Sequence, residues 1–179
     1  MYIIFSGKVK VVQTSMAGRE KVLAYHKKGE FFGEMALIDG KTSPATIVAI
    51  DDTDIGLLHR SAFEKHILNN EKVARELISL LCMRLRESWL MIKVLSFADA
   101  EHRVRAALKH MSMQYGIKDH QGTIITLKLT HREIASYSSV SRETATRLLD
   151  KFSKDGEIEI LNGKNIRIRP AFLEKTMFL

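Results

Sequence analysis

The chain has 179 residues, 45% hydrophobic and 27% charged, which is ordinary for a globular protein. No apolar run approaches the ~18 residues of a membrane span, and no signal-peptide pattern opens the chain, so neither a membrane protein nor a secreted one is predicted. The single cysteine, Cys82, excludes a disulfide framework within one chain and fits a reducing, cytoplasmic location. The formal net charge of +7 favours an acidic partner such as nucleic acid, but residues 130–179 hold only nine Lys or Arg against seven Asp or Glu.

Residues 1–60 predict short β-strands separated by turns. Apolar or β-branched residues alternate or run together in four stretches, at 8–11, 22–25, 45–50 and 55–58. Short strands at regular spacing favour an antiparallel barrel or sandwich. A helix is predicted to begin at Ser61, where Glu64 would complete a capping box.

Residues 71–96 contain neither Gly nor Pro and predict one long helix. One stripe along it steps by four and three residues, which is the heptad spacing of paired helices. That stripe consists of Ala74, Ile78, Leu81, Leu85, Ser88, Ile92 and Leu95. A second stripe, with Val73, Leu77, Leu80 and Trp89, is expected to lie against the strands. We favour a dimerisation helix over a helix buried in its own domain, because both stripes need cover.

The heptad phase breaks at residues 97–100, and a domain boundary is predicted at about residue 97. Asp99 is expected to cap a new helix that ends at Gly116. The apolar face of this helix holds Val104, Ala107, Leu108 and Met111. A strand is predicted to follow, with Ile125, Leu127 and Leu129 on one side.

The remaining residues predict a winged helix-turn-helix. Thr130 and Glu133 form a capping box for one helix, residues 138–140 form a tight turn, and Ser141 caps a second helix. Isoleucines at alternating positions, 158 and 160 and then 166 and 168, flank Asn162-Gly163, a strong hairpin signal. Two helices joined by a tight turn and followed by a two-stranded hairpin are the parts of this motif.

The second helix of the motif, within residues 140–152 (VSRETATRLLDKF), has two different faces. Its apolar positions are Ala145, Leu148, Leu149 and Phe152, and at ~100° per residue the opposite arc holds Arg142, Glu143, Thr146 and Arg147. Arginine can donate two hydrogen bonds to guanine, and glutamate can accept one from cytosine. The alternative is a solvated face with local ion pairs. We favour base reading, because the helix follows a capped helix and a tight turn and precedes a wing.

Four segments in order resemble the cyclic-AMP receptor/FNR (CRP/FNR) superfamily of bacterial transcription regulators. Residues 2–7 (YIIFSG) resemble the strand-and-turn opening of its mid-barrel, and residues 33–40 (GEMALIDG) its phosphate-binding cassette. Residues 96–99 (SFAD) resemble its hinge, and residues 141–147 (SRETATR) its recognition helix. The resemblance implies an α+β fold in three parts: an incomplete cyclic-nucleotide-binding-like β-roll at 1–70, a dimerisation helix at 71–97, and a winged helix-turn-helix DNA-binding domain at 98–179. Family members carry further strands before the YIIFSG segment, so we expect an N-terminal part of the β-roll to be missing.

The resemblance implies a cytoplasmic homodimer that binds double-stranded DNA at a palindromic operator, with RNA polymerase as a further partner. Paired recognition helices would enter successive major grooves about one helical turn apart. The implied DNA contacts are Thr130, His131, Ser141, Arg142, Glu143, Thr144, Thr146, Arg147 and Lys164. In the family an Arg-Glu-x-x-x-Arg helix suits a TGTGA-like half-site, and the oxygen-sensing branch carries a hydrophobic residue where Arg142 stands, so a TGTGA-like half-site is expected. Ser139 stands where the family turn often has Gly, and would cost about 1 kcal/mol if the turn needs a positive φ.

The implied effector residues are Gly33, Glu34, Met35, Ser43, Ser88 and Trp89. Glu34 matches the glutamate that binds the ribose 2′-hydroxyl, but Ser43-Pro44 stands where cyclic-AMP-binding members have Arg-Ser. Losing that cation weakens a desolvated phosphate site, so cyclic AMP is disfavoured, and another ligand or none is expected. An iron–sulfur cluster needs about four cysteines and the chain has one, so no cluster is expected. Haem bound through His26, His59 or His66 is the alternative, but a lone histidine among strands is more often an ordinary polar residue. His102, His110 and His120 show no ligand spacing, so no metal site is expected.

Two other classes of function are weighed against DNA binding. One is a ligand-binding or scaffolding module whose winged helix contacts protein; it would bind random duplex DNA little at any salt concentration. The other is an enzyme, which is not predicted, because the sequence shows no nucleophile–base pair, metal-ligand spacing or glycine-rich phosphate loop before a helix. For a DNA-binding regulator, we further expect a ligand to shift the protein between two dimer states.

Overall fold

The structure is a computed structural model that describes residues 1–18, 20–43, 45–97, 99–161 and 165–175. Backbone contacts divide the chain into two compact units, Met1–Ser88 and Trp89–Leu179. Helix α3, Glu71–Phe97, crosses this division. Within the described ranges, no helix has the length and apolar character of a membrane span.

The N-terminal unit is built from antiparallel strand pairs. Its strands are β1 Tyr2–Ser6, β2 Lys8–Thr14, β3 Glu20–Lys27, β4 Phe31–Phe32, β5 Thr46–Ala49 and β6 Asp54–Leu57. They form two sheets, in the orders β4-β1-β6 and β3-β2-β5. The four strands predicted from the sequence are therefore confirmed as β2, β3, β5 and β6. A short helix, α1 Met35–Ile38, follows β4.

The helix predicted to begin at Ser61 begins one residue earlier, and its predicted capping box is wrong. Helix α2 is Arg60–Phe63; its N-cap is His59, and no side chain caps it. Glu64 instead opens a π-helical turn, Glu64–Leu68. The buried ring of Phe63 packs with Met1 and Leu77 and fixes this segment against the start of α3.

Helix α3 confirms the long helix predicted from the absence of Gly and Pro. Leu77, on the second stripe, is buried, whereas Trp89 of the same stripe is 61% exposed. The heptad stripe remains largely open: Ile78 and Ile92 are each 61% exposed, and Leu85 is 49% exposed. Large apolar side chains at this spacing are therefore left exposed on one face of α3 by the residues that the structure describes. Ala98, in the segment that resembles the family hinge, lies outside the described residues.

The C-terminal unit combines four helices with a four-stranded sheet. The helices after α3 are α4 Ala100–Tyr115, α5 His131–Ser138, α6 Arg142–Lys154 and α7 Pro170–Glu174. The strands are β7 Gly116–Asp119, β8 Gly122–Ile125, β9 Ile158–Ile160 and β10 Ile166–Ile168, in the order β7-β8-β10-β9. Asp99 caps α4 as predicted, because its carboxylate accepts a hydrogen bond from the His102 backbone N–H at 2.8 Å.

Two features of this unit differ from the sequence expectation. Gly116 ends α4 but also opens β7, which was not predicted. The predicted strand with Ile125, Leu127 and Leu129 on one side is paired only as far as Ile125, although all three side chains are buried. The wing strands are confirmed with Ile166 opposite Ile160 and Ile168 opposite Ile158. The predicted turn at Asn162-Gly163 lies outside the described residues.

Candidate nucleic-acid interface

Helix α6 is fixed at its start by a side-chain cap. The Ser141 hydroxyl accepts a hydrogen bond from the Thr144 backbone N–H at 3.1 Å and donates one to the Thr144 hydroxyl at 3.0 Å. An N-cap of this kind satisfies a backbone donor that the first turn leaves open. The inner face of the helix is buried, as predicted, through Ala145, Leu148, Leu149 and Phe152.

The outer face of α6 carries the three residues predicted to read bases. Arg142, Glu143 and Arg147 are all exposed and lie on one continuous helix. The pKa of the Glu143 carboxyl lies below its ordinary value, first because its own backbone N–H bonds it, and then through Ser141 and the charge of Arg142. The face therefore offers two guanidinium donors and an ionised acceptor to solvent.

His131 and Thr146 join the two helices of the motif. The His131 Nδ1 atom lies 2.9 Å from the Thr146 hydroxyl. Both side chains are partly buried, so they bridge the start of α5 to the middle of α6. Thr146 was predicted as part of the outer arc; its hydroxyl is engaged by His131 in this state.

The start of α5 is a complete capping box, as predicted. The Thr130 hydroxyl accepts from the Glu133 backbone N–H at 3.2 Å, and the Glu133 carboxylate accepts from the Thr130 backbone N–H at 2.9 Å. The same carboxylate accepts the Thr130 hydroxyl proton at 2.9 Å. These hydrogen bonds fix the start of α5, where Thr130 is exposed and the helix dipole is positive.

A groove of about 450 Å³ brings the two helix starts together. It is lined by Leu129, Thr130, His131, Arg132, Arg142, Ile160 and Ile166. Residues predicted to touch phosphate therefore lie beside Arg142, the first arginine predicted to read bases, and next to the wing strands. Arg132 was missed by the sequence reasoning, although a basic residue in the first turn after a predicted capping box was the available signal.

The turn between α5 and α6 has a left-handed residue, as the resemblance suggested. Ser139 has φ 53° and ψ 48° and is the non-glycine residue with positive φ among the described residues. Its backbone N–H donates to the carbonyl groups of Ala135 and Ser136. A side chain in this conformation is strained relative to glycine.

Glu34, the residue expected to bind a ribose hydroxyl, is buried and paired. Its carboxylate accepts a hydrogen bond from Arg84 Nη1 at 2.8 Å. Arg84 also donates to the Phe31 carbonyl at 2.7 Å and lies 4.8 Å from the centre of the Phe31 ring. Sequence reasoning missed Arg84, and the available signal was that a buried carboxylate requires a cation.

The other expected effector residues are described one by one. Gly33 has φ 76°, and an added Cβ would lie 3.2 Å from the Tyr2 ring. Met35 and Ser43 are exposed, and the Ser88 hydroxyl donates to the Arg84 carbonyl at 2.9 Å. Trp89 is exposed in the second unit. Pro44, with the expected DNA contact Lys164, lies outside the described residues.

The described part of the chain contains no group of three or more His, Cys, Asp or Glu side chains that could hold a metal ion. Cys82 is exposed on α3.

Two family models match the chain. The cyclic nucleotide-binding domain matches residues 1–70, and the Crp-like helix-turn-helix domain matches residues 102–174. The cyclic AMP receptor protein of Thermus thermophilus is 35% identical over 173 residues, covering 97% of this chain and 76% of that protein. A CRP-like cAMP-activated global transcriptional regulator of Mycobacterium tuberculosis is 30% identical over 168 residues, covering 94% and 75%.

Two solved structures superpose on the chain over nearly its whole length. FixK2 from Bradyrhizobium japonicum superposes with a TM-score of 0.82 at 25% identity, covering 97% of this chain and 85% of that chain. A CooA mutant from Carboxydothermus hydrogenoformans also gives 0.82 at 25% identity, covering 98% and 78%. The relatives are transcription regulators and not enzymes. The sensor-type sheets, the capped helix pair and these matches together show that the chain belongs to the CRP/FNR family of bacterial transcription regulators.

Proposed function

We propose that the protein is a homodimer that binds a palindromic, TGTGA-like DNA operator in the cytoplasm, under the control of an effector in the β-roll. Residues 1–70 would form the partial sensor, residues 71–97 the dimerisation helix and residues 98–179 the DNA-binding domain. The observation that carries the proposal is the outer face of α6, where Arg142, Glu143 and Arg147 are exposed together.

The chemistry of this face suits base reading. A guanidinium can donate two parallel hydrogen bonds to guanine O6 and N7, and the carboxylate of Glu143 can accept from cytosine N4. A glutamate carboxyl is ionised at neutral pH, and the pKa of Glu143 lies below its ordinary value, so this side chain can accept a hydrogen bond. Each well-formed bidentate pair discriminates against a wrong base by about 1–3 kcal/mol.

Phosphate contacts would hold the helix in register. Thr130 and His131 begin α5, where a helix N-terminus favours an anion, and Arg142 lines the same groove. Ser141 and Thr144 stand at the corresponding end of α6, and Lys164 would add a contact from the wing. Such contacts fix orientation and carry no sequence information by themselves.

The homodimer would form along α3. Ile78, Leu85 and Ile92 are exposed at heptad spacing, which a second copy of the same helix would cover. A two-fold dimer would place two copies of α6 on the two halves of a palindrome. RNA polymerase is proposed as a further partner on the family resemblance.

The effector site would involve Gly33, Glu34, Met35, Ser43, Ser88 and Trp89. Two relatives are named for cyclic AMP, yet Ser43 and Pro44 replace the Arg-Ser pair expected for a cyclic phosphate. Arg84, the cation at Glu34, is already engaged by that carboxylate and by the Phe31 carbonyl. We therefore propose that cyclic AMP is not the effector. A thermal-shift screen tests this point, because a ligand that binds only the folded state must raise its stability; a shift with cyclic AMP at micromolar concentration would contradict it.

The central experiment measures binding to DNA. The wild-type protein would select duplexes from a random pool, and Arg142→Ala and Arg147→Ala would be compared on the selected duplex and on a scrambled duplex. Each substitution should lower the discrimination between them by about 1 kcal/mol or more. Lys154→Ala, which removes a cation from the same helix, is the matched control and should lower both affinities alike. Unchanged discrimination in both arginine variants would refute the base-reading assignment.

Salt dependence separates DNA binding from the protein-contact alternative. Neutralising phosphates releases counterions, so affinity for random duplex should fall steeply as salt rises. A module that contacts protein through its winged helix would bind random duplex weakly at every salt concentration. That second result would favour the alternative function.

A further inference from the structure

A buried arginine ties the first helix of the C-terminal unit to the segment that follows α6. Arg105 on α4 donates from Nη1 to the Glu157 carboxylate at 2.6 Å, and from Nε and Nη2 to Glu101 at 3.2 and 3.0 Å. Its guanidinium lies 4.1 Å from the centre of the Phe152 ring and 5.0 Å from that of Phe172. The Arg105 and Glu157 side chains are only 6% and 2% exposed, so this centre is rigid and nearly dry.

One arm of this centre reaches α6 itself. The Glu101 carboxylate uses one oxygen for Arg105 and the other for Lys151, whose Nζ atom lies 2.8 Å away. Glu101 lies in the first turn of α4, and Lys151 lies in the last part of α6. The two residues are fifty positions apart in the sequence, and their ion pair joins α4 to α6.

The position of Lys151 around α6 decides what this bridge can do. At ~100° per residue, Lys151 lies roughly 180° around the helix from Arg142, at the border between the exposed arc and the buried arc. The ion pair with Glu101 holds Lys151 toward α4. Because Lys151 lies at this border, the ion pair opposes rotation of α6 about its own axis. Phe152, held under the Arg105 guanidinium, opposes the same rotation from the buried side.

Rotation of α6 matters more for base contacts than for phosphate contacts. At the surface of a helix, roughly 5–6 Å from its axis, a roll of about 10° moves a side chain by about 1 Å. Productive polar geometry tolerates about 0.5 Å, so bidentate contacts from Arg142 or Arg147 would be lost. A cation facing a phosphate acts largely as a point charge and tolerates such a shift.

We propose that Glu101 and Lys151, seated on Arg105, are positioning residues that set the rotation of α6 and thereby the sequence specificity of the protein. The inference rests on the proposed function, because it concerns how the same helix meets DNA. It assigns to Lys151 a role distinct from that of a phosphate-binding lysine on the same helix. The bridge also gives Glu101 a positive effect on DNA recognition, although a carboxylate near DNA would otherwise only repel phosphate.

The test compares four variants on two duplexes. Lys151→Met breaks the bridge, Lys151→Arg keeps it, Glu101→Gln removes its charge, and Lys154→Met removes an equal charge from the same helix without touching Glu101. Each would be titrated with a duplex selected by the wild-type protein and with a scrambled duplex of equal length and composition. The measured quantity is the ratio of the two affinities, with thermal unfolding recorded for every variant.

We expect Lys151→Met and Glu101→Gln to lower the affinity ratio about threefold or more, a size suited to a partly exposed ion pair. Lys151→Arg should keep the wild-type ratio, and Lys154→Met should weaken both complexes equally and leave the ratio unchanged. A fifth protein, Glu101→Gln combined with Lys151→Met, should lose no more than Glu101→Gln alone, because Glu101→Gln already breaks the bridge to Lys151. A wild-type ratio in Lys151→Met or in Glu101→Gln would overturn the inference. If the wild-type protein selects no duplex and shows no salt-dependent binding, the proposed function fails instead, whatever the variants show.

Discussion

Replacing Arg105 by methionine should destabilise the C-terminal unit by about 3 kcal/mol. The substitution leaves the Glu157 carboxylate in place at 2% exposure and removes its best-buried partner. Breaking a buried pair by removing one member costs about 3–5 kcal/mol, because the remaining charge is desolvated without compensation. The low end applies here, because Lys175 still contacts the other Glu157 oxygen from an exposed position.

A second substitution distinguishes loss of a charge partner from loss of packing. Arg105→Met combined with Glu157→Leu replaces the pair by apolar side chains of similar size, which is often neutral or stabilising. The double variant should therefore regain most of the lost stability. Native-state hydrogen exchange of amides in α4 and α6 gives the free energy of opening of this unit, independently of the N-terminal unit. A double variant as unstable as the single one, or a single variant that loses less than about 1 kcal/mol, would refute the reasoning.

The pH dependence of the same variant follows from the sign of the pKa change. Burial by itself raises the pKa of Glu157, but hydrogen bonds and charges from Arg105 and Lys175 outweigh it, so that the pKa lies below its ordinary value. In the wild-type protein this group stabilises the fold above its unfolded pKa and loses that contribution as pH falls. Without Arg105, burial should dominate and raise the pKa of Glu157. The cost of burying the ionised carboxylate is then present at neutral pH and disappears when acidification protonates it. The stability gap between wild type and Arg105→Met should therefore narrow from pH 7 toward about 4; a gap that widens would contradict the assignment.

Three further substitutions test the helix pair and the proposed dimer. Ser139→Gly removes about 1 kcal/mol of left-handed strain but adds the greater freedom of glycine in the unfolded chain, so the melting temperature should rise slightly; a lower melting temperature would show that the strain is smaller than this entropic cost. Ser141→Ala removes the acceptor for the Thr144 N–H and should cost about 1 kcal/mol, measured by the exchange of amides in the first turn of α6; unchanged protection there would contradict the cap. Ile92→Lys places a charge on the exposed heptad stripe and should shift the protein from dimer to monomer in analytical ultracentrifugation, whereas Ile117→Lys, at an exposed position on β7, should leave association unchanged.

Local signals in the sequence predicted most of the helix-turn-helix. The caps at Thr130 and Ser141 and the apolar period of α6 each depend on residues within one or two turns, so they could be identified without a fold. The same capping pattern failed at Ser61. There, Phe63 is fully buried and Arg60 donates to the Ala36 carbonyl at 3.3 Å, so tertiary contacts set where the helix begins. Propensity yields to packing at such a site.

Contacts between distant residues could not be predicted in the same way. Arg84 and Glu34 lie fifty residues apart, and Arg105 and Glu157 lie fifty-two apart, and no periodic pattern relates the members of either pair. Each arginine stands among ordinary helical residues, so the sequence alone favours a solvated position. The tertiary fold brings the glutamate next to the arginine and buries both side chains, wholly or partly. A buried charge is costly unless it is paired, so burial requires the ion pair.

These pairings also explain why net charge was a poor guide to the C-terminal unit. Several of its acidic residues neutralise cations within the fold: Glu157 binds Arg105 and Lys175, and Asp119 and Glu159 bind Arg167. Within residues 130–179, Glu157 pairs with Lys175 and Glu159 pairs with Arg167, so part of the charge counted there is paired inside the fold. What a polyanion meets is the set of cations at the surface of α5 and α6, where Arg132, Arg142 and Arg147 are exposed. Electrostatic attraction depends on this local arrangement within a Debye length of about 8–10 Å, so the positions of these arginines relative to Glu143 and Asp150 on the same surface matter more than the net charge of the domain.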